Sequence, residues 1–189
     1  YTPSKPGANG WGWTLGATQY QWFANTLATS RAKFKFVFIH HLVGGVDDSG
    51  RGGSEAAALY EWGGKGKTGK DEFKAKRPGW DVPIHQLMVK HKVSVVFHGH
   101  DHFYAHQELD DVKYVMVPQP GHPGGERLRG TDEYGYIRGD FLPPAGHVRV
   151  SVTPEKATVE YVRSLLPAAE TPKQKNGHVA HTFTLRPAP

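Results

Sequence analysis

With 189 residues, 38% of them hydrophobic and 22% charged, the chain is long enough to bury one sizeable core and too apolar to stay disordered. No apolar stretch reaches the roughly 18–20 residues that a membrane-spanning helix needs, and the lack of cysteine excludes disulfides and thiolate metal sites. A net charge of +5 suits anionic, phosphate-bearing partners, although much of the excess sits in one tract that also reads as solvated surface.

Residues 1–16 are rich in Gly, Pro and Trp and read as an irregular lead-in. They carry neither an initiator methionine nor a signal-peptide pattern, which is expected of a processed or truncated chain. TQYQWFANTLATSR, 18–31, predicts a helix. Thr18 and Gln21 have the spacing of a capping box, and Tyr20, Phe23, Ala24 and Leu27 form an apolar stripe. In KFKFVFIHH, 33–41, residues 34–39 predict a strand apolar enough to be covered on both faces.

Residues 44–83 read as a long loop with a short helix over SEAAALYEW, and connections of this length are often functional. Within it, GKGKTGKD at 64–71 nearly spells a phosphate-binding P-loop. It ends in Asp71, which would repel phosphate, and no strand precedes it, so a solvated basic loop is expected. Pro83 then opens a helix whose Ile84, Leu87, Met88 and His91 share a face. VSVVF, 93–97, predicts a second buried strand, and KYVMVP follows as a further apolar run. HVRVSV and ATVEYVRS alternate about a TPEK turn and predict a hairpin. LPAAETPKQKNG reads as a polar linker, and HTFTLRP as a last edge strand.

Both buried strands end in histidine: His40-His41 after the first, and His98-Gly99-His100-Asp101-His102 after the second. A helix lies between the strands, so the class is α/β with the two strands parallel or close neighbours. In such sheets ligands gather beyond the carboxyl ends of strands. Neutral imidazole is a ligand for Fe, Mn, Zn or Ni. Gly99 allows a sharp turn, from which His100 and His102 could reach one metal or two adjacent ones. Asp101 could orient a ring as a hydrogen-bond acceptor.

KFKFVFIHH followed by VVFHGHDHF resembles the C-terminal half of the calcineurin-like metallophosphoesterases, the superfamily that includes the purple acid phosphatases. The likeness runs from about residue 15 to 120, and the closing GHVRVSVTPEKATVEYV is compatible with it. The resemblance implies a β-sandwich flanked by helices and a two-metal phosphoester hydrolase, with a phosphomonoester or phosphodiester substrate. It implies that His40 and His100 bind one metal and His102 the other. The family's D-x-H, G-D-x-x-D and G-N-H motifs do not occur here: Gly139-Asp140 is followed by Phe-Leu-Pro, and Asn176 leads into Gly-His. They would precede Tyr1. The chain is therefore expected to be the C-terminal part of the catalytic domain over 1–165, with a linker and terminal edge strand over 166–189. It would lack the bridging aspartate and the usual leaving-group acid, and its missing N-terminal half would be a partner, as a separate piece or chain.

Other residues carry weaker signals. His41 faces either the site or the protein behind it, and His98 is expected to be structural. Arg51 in SGRGGS could meet a phosphate or belong to an ordinary flexible loop. His122 in PQPGHPGG could sit near the site mouth. Tyr104 and the aromatics of DEYGYI could line a substrate wall or the core. His85, His91, His106, His147, His178 and His181 read as surface or packing residues. No aromatic-plus-basic groove supports nucleic-acid binding. Two other classes stay open: a non-catalytic metal- or phosphate-binding module or inactive fragment, and a β-rich structural domain with incidental histidines. The composition suits an exported bacterial enzyme, and a cytosolic one as well.

Overall fold

The computed structural model describes residues 10–46, 50–121 and 127–187. Among these residues, eight strands and four short or medium α-helices run in the order α1 (Ala17–Thr29), β1 (Phe36–Phe38), α2 (Tyr60–Gly63), α3 (Phe73–Lys76), α4 (Ile84–Lys90), β2 (Val95–His98), β3 (Tyr104–Leu109), β4 (Val112–Met116), β5 (Asp140–Leu142), β6 (Gly146–Val152), β7 (Ala157–Arg163) and β8 (Val179–Leu185). A five-stranded sheet has the order β1-β2-β4-β3-β5, and a three-stranded sheet the order β6-β7-β8. The pairs β1–β2 and β2–β4 are parallel, and every other pair is antiparallel. No helix among the described residues is long and apolar enough to cross a membrane.

The side-chain period of two sorts the large sheet into two faces. Val95, Phe97, Tyr104 and Val115 pack against Val159, Tyr161 and Leu185 of the small sheet. Val96 and Tyr114 point the other way, onto Tyr20 and Leu27 of α1, Trp62 of α2 and Ile84, Leu87 and Met88 of α4. Helices, large sheet and small sheet therefore form three layers with an apolar core on each side of the large sheet. This is a mixed α/β architecture, a sandwich flanked by helices.

Three expectations need correction. The capping box does not form: Gly16 is the N-cap of α1 with no side-chain bond, and Gln21 instead donates to Asn25 Oδ1 at 2.9 Å. The strand over 34–39 is shorter and is not covered on both faces. As β1 it is the edge of the large sheet, and Phe38 is 75% exposed. Apolar content alone does not distinguish an edge from a centre. Finally, the segment SEAAALYEW is broken rather than one helix. A 3₁₀ turn over Ser54–Ala58 gives way to α2 at Leu59, and Gly64 closes α2 in a left-handed conformation. The basic tract after it holds no phosphate loop; Asp71 Oδ1 instead accepts from Phe73 N–H at the start of α3.

Candidate metal and phosphate site

Parallel pairing carries on past the ends of β1 and β2. Ile39 N–H donates to the Phe97 carbonyl at 3.1 Å, and Gly99 N–H donates to the His40 carbonyl at 2.8 Å. The two histidine-bearing strand ends are thus tied through the backbone, and His100 Nδ1 comes to 3.3 Å from His40 Nε2 with the rings edge to face at 5.3 Å. Two ring nitrogens each about 2.0–2.1 Å from one tetrahedral ion would stand about 3.3 Å apart, so the pair fits a shared cation. Burial, first of all, holds the His100 pKa below the ordinary imidazole value; the Asp101 charge opposes this, while the nearby Arg51, His40 and His102 add to it. The ring is therefore neutral at neutral pH, the form that ligates.

His102 is not brought into this pair. It is exposed and forms no hydrogen bond to either partner. The turn that carries it also differs from expectation. Gly99 is not left-handed; the positive φ values fall on His100 (88°) and His102 (66°), a costly conformation for non-glycine residues and one that concentrates at functional sites. His41 turns inward, 2% exposed, with Nδ1 3.1 Å from the Leu42 carbonyl and its ring 5.2 Å from that of His100. It lies behind the His40–His100 pair, and burial lowers its pKa as well.

Asp101 does not orient a histidine. Its buried carboxylate accepts from Gly52 N–H (2.9 Å), Tyr136 O–H (2.9 Å) and Arg51 Nη1 (3.3 Å). Burial and the Asp101 charge push the Tyr136 pKa well up, so the phenol remains a donor. The same contacts draw the 50–53 loop over the histidines: Gly50 has φ +92°, and a Cβ there would meet the His41 ring at 2.7 Å. Arg51 is held beside His100 with its guanidinium 4.0 Å over the Tyr134 ring. The aromatics of DEYGYI thus support the arginine. Tyr104 is core, stacked on Tyr161 at 4.4 Å. His122 lies outside the described residues.

His98 is wholly buried, and neither ring nitrogen has a hydrogen-bond partner among the described residues. Burial, with a smaller push from His41, lowers its pKa to about 3. Between that value and 6.5 the unfolded chain binds a proton that the folded one refuses. Stability should therefore fall as pH drops through this window, with a slope approaching 1.4 kcal/mol per pH unit. His98→Leu, of similar volume and without orphaned polar atoms, should raise stability by about 1–2 kcal/mol and flatten that slope. Urea titrations at pH 7.5 and 5 check both; a loss of stability would reveal a polar role for His98.

A site built from strand-end histidines, with a loop arginine beside them, sits on a fold shared with known proteins. No protein-family model and no curated protein sequence matches the chain. Among solved structures, the purple acid phosphatase PPD1 of yellow lupin, Lupinus luteus, superposes with a TM-score of 0.50 at 17% identity, over 92% of this chain and 29% of that one. The chain shares the fold of that part of the structure. The same fold occurs in GAP50, the anchor in the inner membrane complex of Plasmodium, with a TM-score of 0.50 at 12% identity over 91% of this chain and 43% of that one. The chain thus spans less than half the length of either structure.

One further cluster is not marked by any contiguous motif. His106, Asp140 and His181 stand on three different strands and bring one donor atom each within 4.8 Å of the others. No local motif links residues so far apart. The clue available was that Tyr104 and His106, two apart in a strand, share a face that should be apolar.

Proposed function

We propose that the chain contributes the C-terminal ligands of a two-metal centre that hydrolyses phosphoesters. The convergence of His40 Nε2 and His100 Nδ1 at 3.3 Å beyond two parallel strands carries the reading. His40 and His100 hold one ion and the exposed His102 is offered to the second, with Fe, Mn, Zn or Ni suited to imidazole donors. Bound cations would lower the pKa of a coordinated water and neutralise charge on the phosphoryl group. The chain's own residues do the rest. Arg51, fixed by Asp101 and Tyr134, presents a guanidinium to a phosphate oxygen, and His41 supports the pair from behind.

The remaining ligands come from an N-terminal half of the domain, as a separate piece or chain. In support, β1 is the outermost strand of the large sheet among the described residues and has a parallel neighbour on one side only. Beside it a groove of about 490 Å³ is lined by Trp22 and Phe23 of α1 and by Phe36, Phe38 and His40. An apolar strand laid there would cover Phe38 and bring its own carboxyl end to the histidines.

The test is hydrolysis of p-nitrophenyl phosphate and bis-p-nitrophenyl phosphate by the chain alone and together with such a half, in the presence of each metal. The combined protein should turn over. His40→Ala with His100→Ala should cost more than the roughly 10–100-fold expected for residues that merely support a ligand. Turnover that survives the double variant would sink the assignment. Tight metal binding without turnover in the combined protein would favour a non-catalytic binding module.

A further inference from the structure

His106 and Asp140 are register partners on the antiparallel pair β3–β5, and His181 comes from β8 in the other sheet. Asp140 Oδ2 lies 3.4 Å from His106 Nδ1 and 3.2 Å from His181 Nε2. The first distance is longer than the 2.7–3.2 Å of an ordinary N–H···O bond, while both match neighbouring donors around one small cation. The rings are already set. His106 stacks on Phe183 at 4.3 Å, and His181 Nδ1 is 2.8 Å from the Tyr104 hydroxyl, itself fixed by the Tyr104–Tyr161 stack. A phenol oxygen on the far nitrogen of a ligating histidine is the kind of support that fixes ring orientation in metal sites. The Asp140 side chain is 61% exposed and leaves a path for an ion and a water.

We propose that His106, Asp140 and His181 bind a divalent transition cation of the zinc type, distinct from the His40–His100 centre and clamping the two sheets together. Two imidazoles and one carboxylate with no thiolate suit Zn²⁺, with water completing a tetrahedral set. The site shares no residue with the proposed phosphoesterase centre, so either can fail without the other. Because its donors come from both sheets, the bound ion stabilises the sandwich by mass action.

The experiment uses His40→Ala/His100→Ala/His102→Ala protein, in which the strand-end cluster is gone, titrated with Zn²⁺ by calorimetry and with Co²⁺ by visible absorption. One equivalent should bind, Co²⁺ should show the intense bands of a tetrahedral ion, and thermal unfolding should move upward with Zn²⁺. Adding His181→Gln should weaken binding at least tenfold and abolish the thermal shift. Should that variant not fold, Asp140→Asn, at an exposed position, gives the same readout. Absence of binding in the triple variant, or binding unchanged by His181→Gln or Asp140→Asn, overturns the site and leaves a hydrogen-bonded triad.

Discussion

Asp101→Ala should destabilise the protein by about 2–4 kcal/mol, since a buried donor left without an acceptor costs about 1–3 kcal/mol and this change orphans more than one. Gly52 N–H and the Tyr136 hydroxyl both point at the lost carboxylate, and Arg51 loses its anion. Asp101→Asn keeps an acceptor oxygen but not the charge, and should fall between the two. Equilibrium unfolding in urea measures the cost. A change below about 0.5 kcal/mol would mean that the loop is held by other contacts. The proposed function adds a second readout: with the 50–53 loop released, Arg51 leaves His100, and inhibition by inorganic phosphate should weaken more than metal binding does.

Glu61→Leu should cost about 3–5 kcal/mol, the expected penalty for breaking a buried ion pair from one side. The Glu61 carboxylate is wholly buried on α2. It accepts from Arg77 Nε, from the Thr14 hydroxyl and from Leu15 N–H at 3.0 Å. Arg77 also donates to the Trp11 carbonyl at 2.7 Å and sits over the Trp11 and Trp80 rings, so the pair fastens the segment before α1 to the long connection. Replacing both charges, Glu61→Leu with Arg77→Met, should recover much of the loss, because neither ion is then left buried alone. A double-mutant cycle with a coupling energy near zero would count against the pair as the anchor.

Much of this architecture was legible in the residues. β2 stood out because VSVVF is apolar at nearly every position, as a strand buried on both faces must be, and the β6–β7 hairpin because its alternation breaks at TPEK. The strand-end histidines were legible as well, since parallel strands necessarily bring their carboxyl ends to one edge. β3 was not. In YAHQEL the polar His106 and Gln107 fall on opposite faces, and each is retained by partners distant in the chain: Asp140 for one, Glu55 and the Arg138 carbonyl for the other. A buried polar residue with a distant partner resembles a loop residue until the partner is known. The tight turn at Asp110-Asp111, both with positive φ, was the available sign of a β3–β4 hairpin. Asp101 was misread for a related reason. Its neighbours in sequence are histidines, while its partners in space are Arg51, Gly52 and Tyr136.

The bond from Gly99 N–H to the His40 carbonyl also bears on the order of events in folding. His40 and His100 are 60 residues apart in sequence, and they meet only once β1 and β2 have paired in parallel. Closing so long a connection is slow compared with forming a local hairpin such as β6–β7. The histidine pair is therefore expected to assemble late, after the small sheet has its own turns in place. A cation captured there would report the arrival of the native topology rather than the collapse that precedes it.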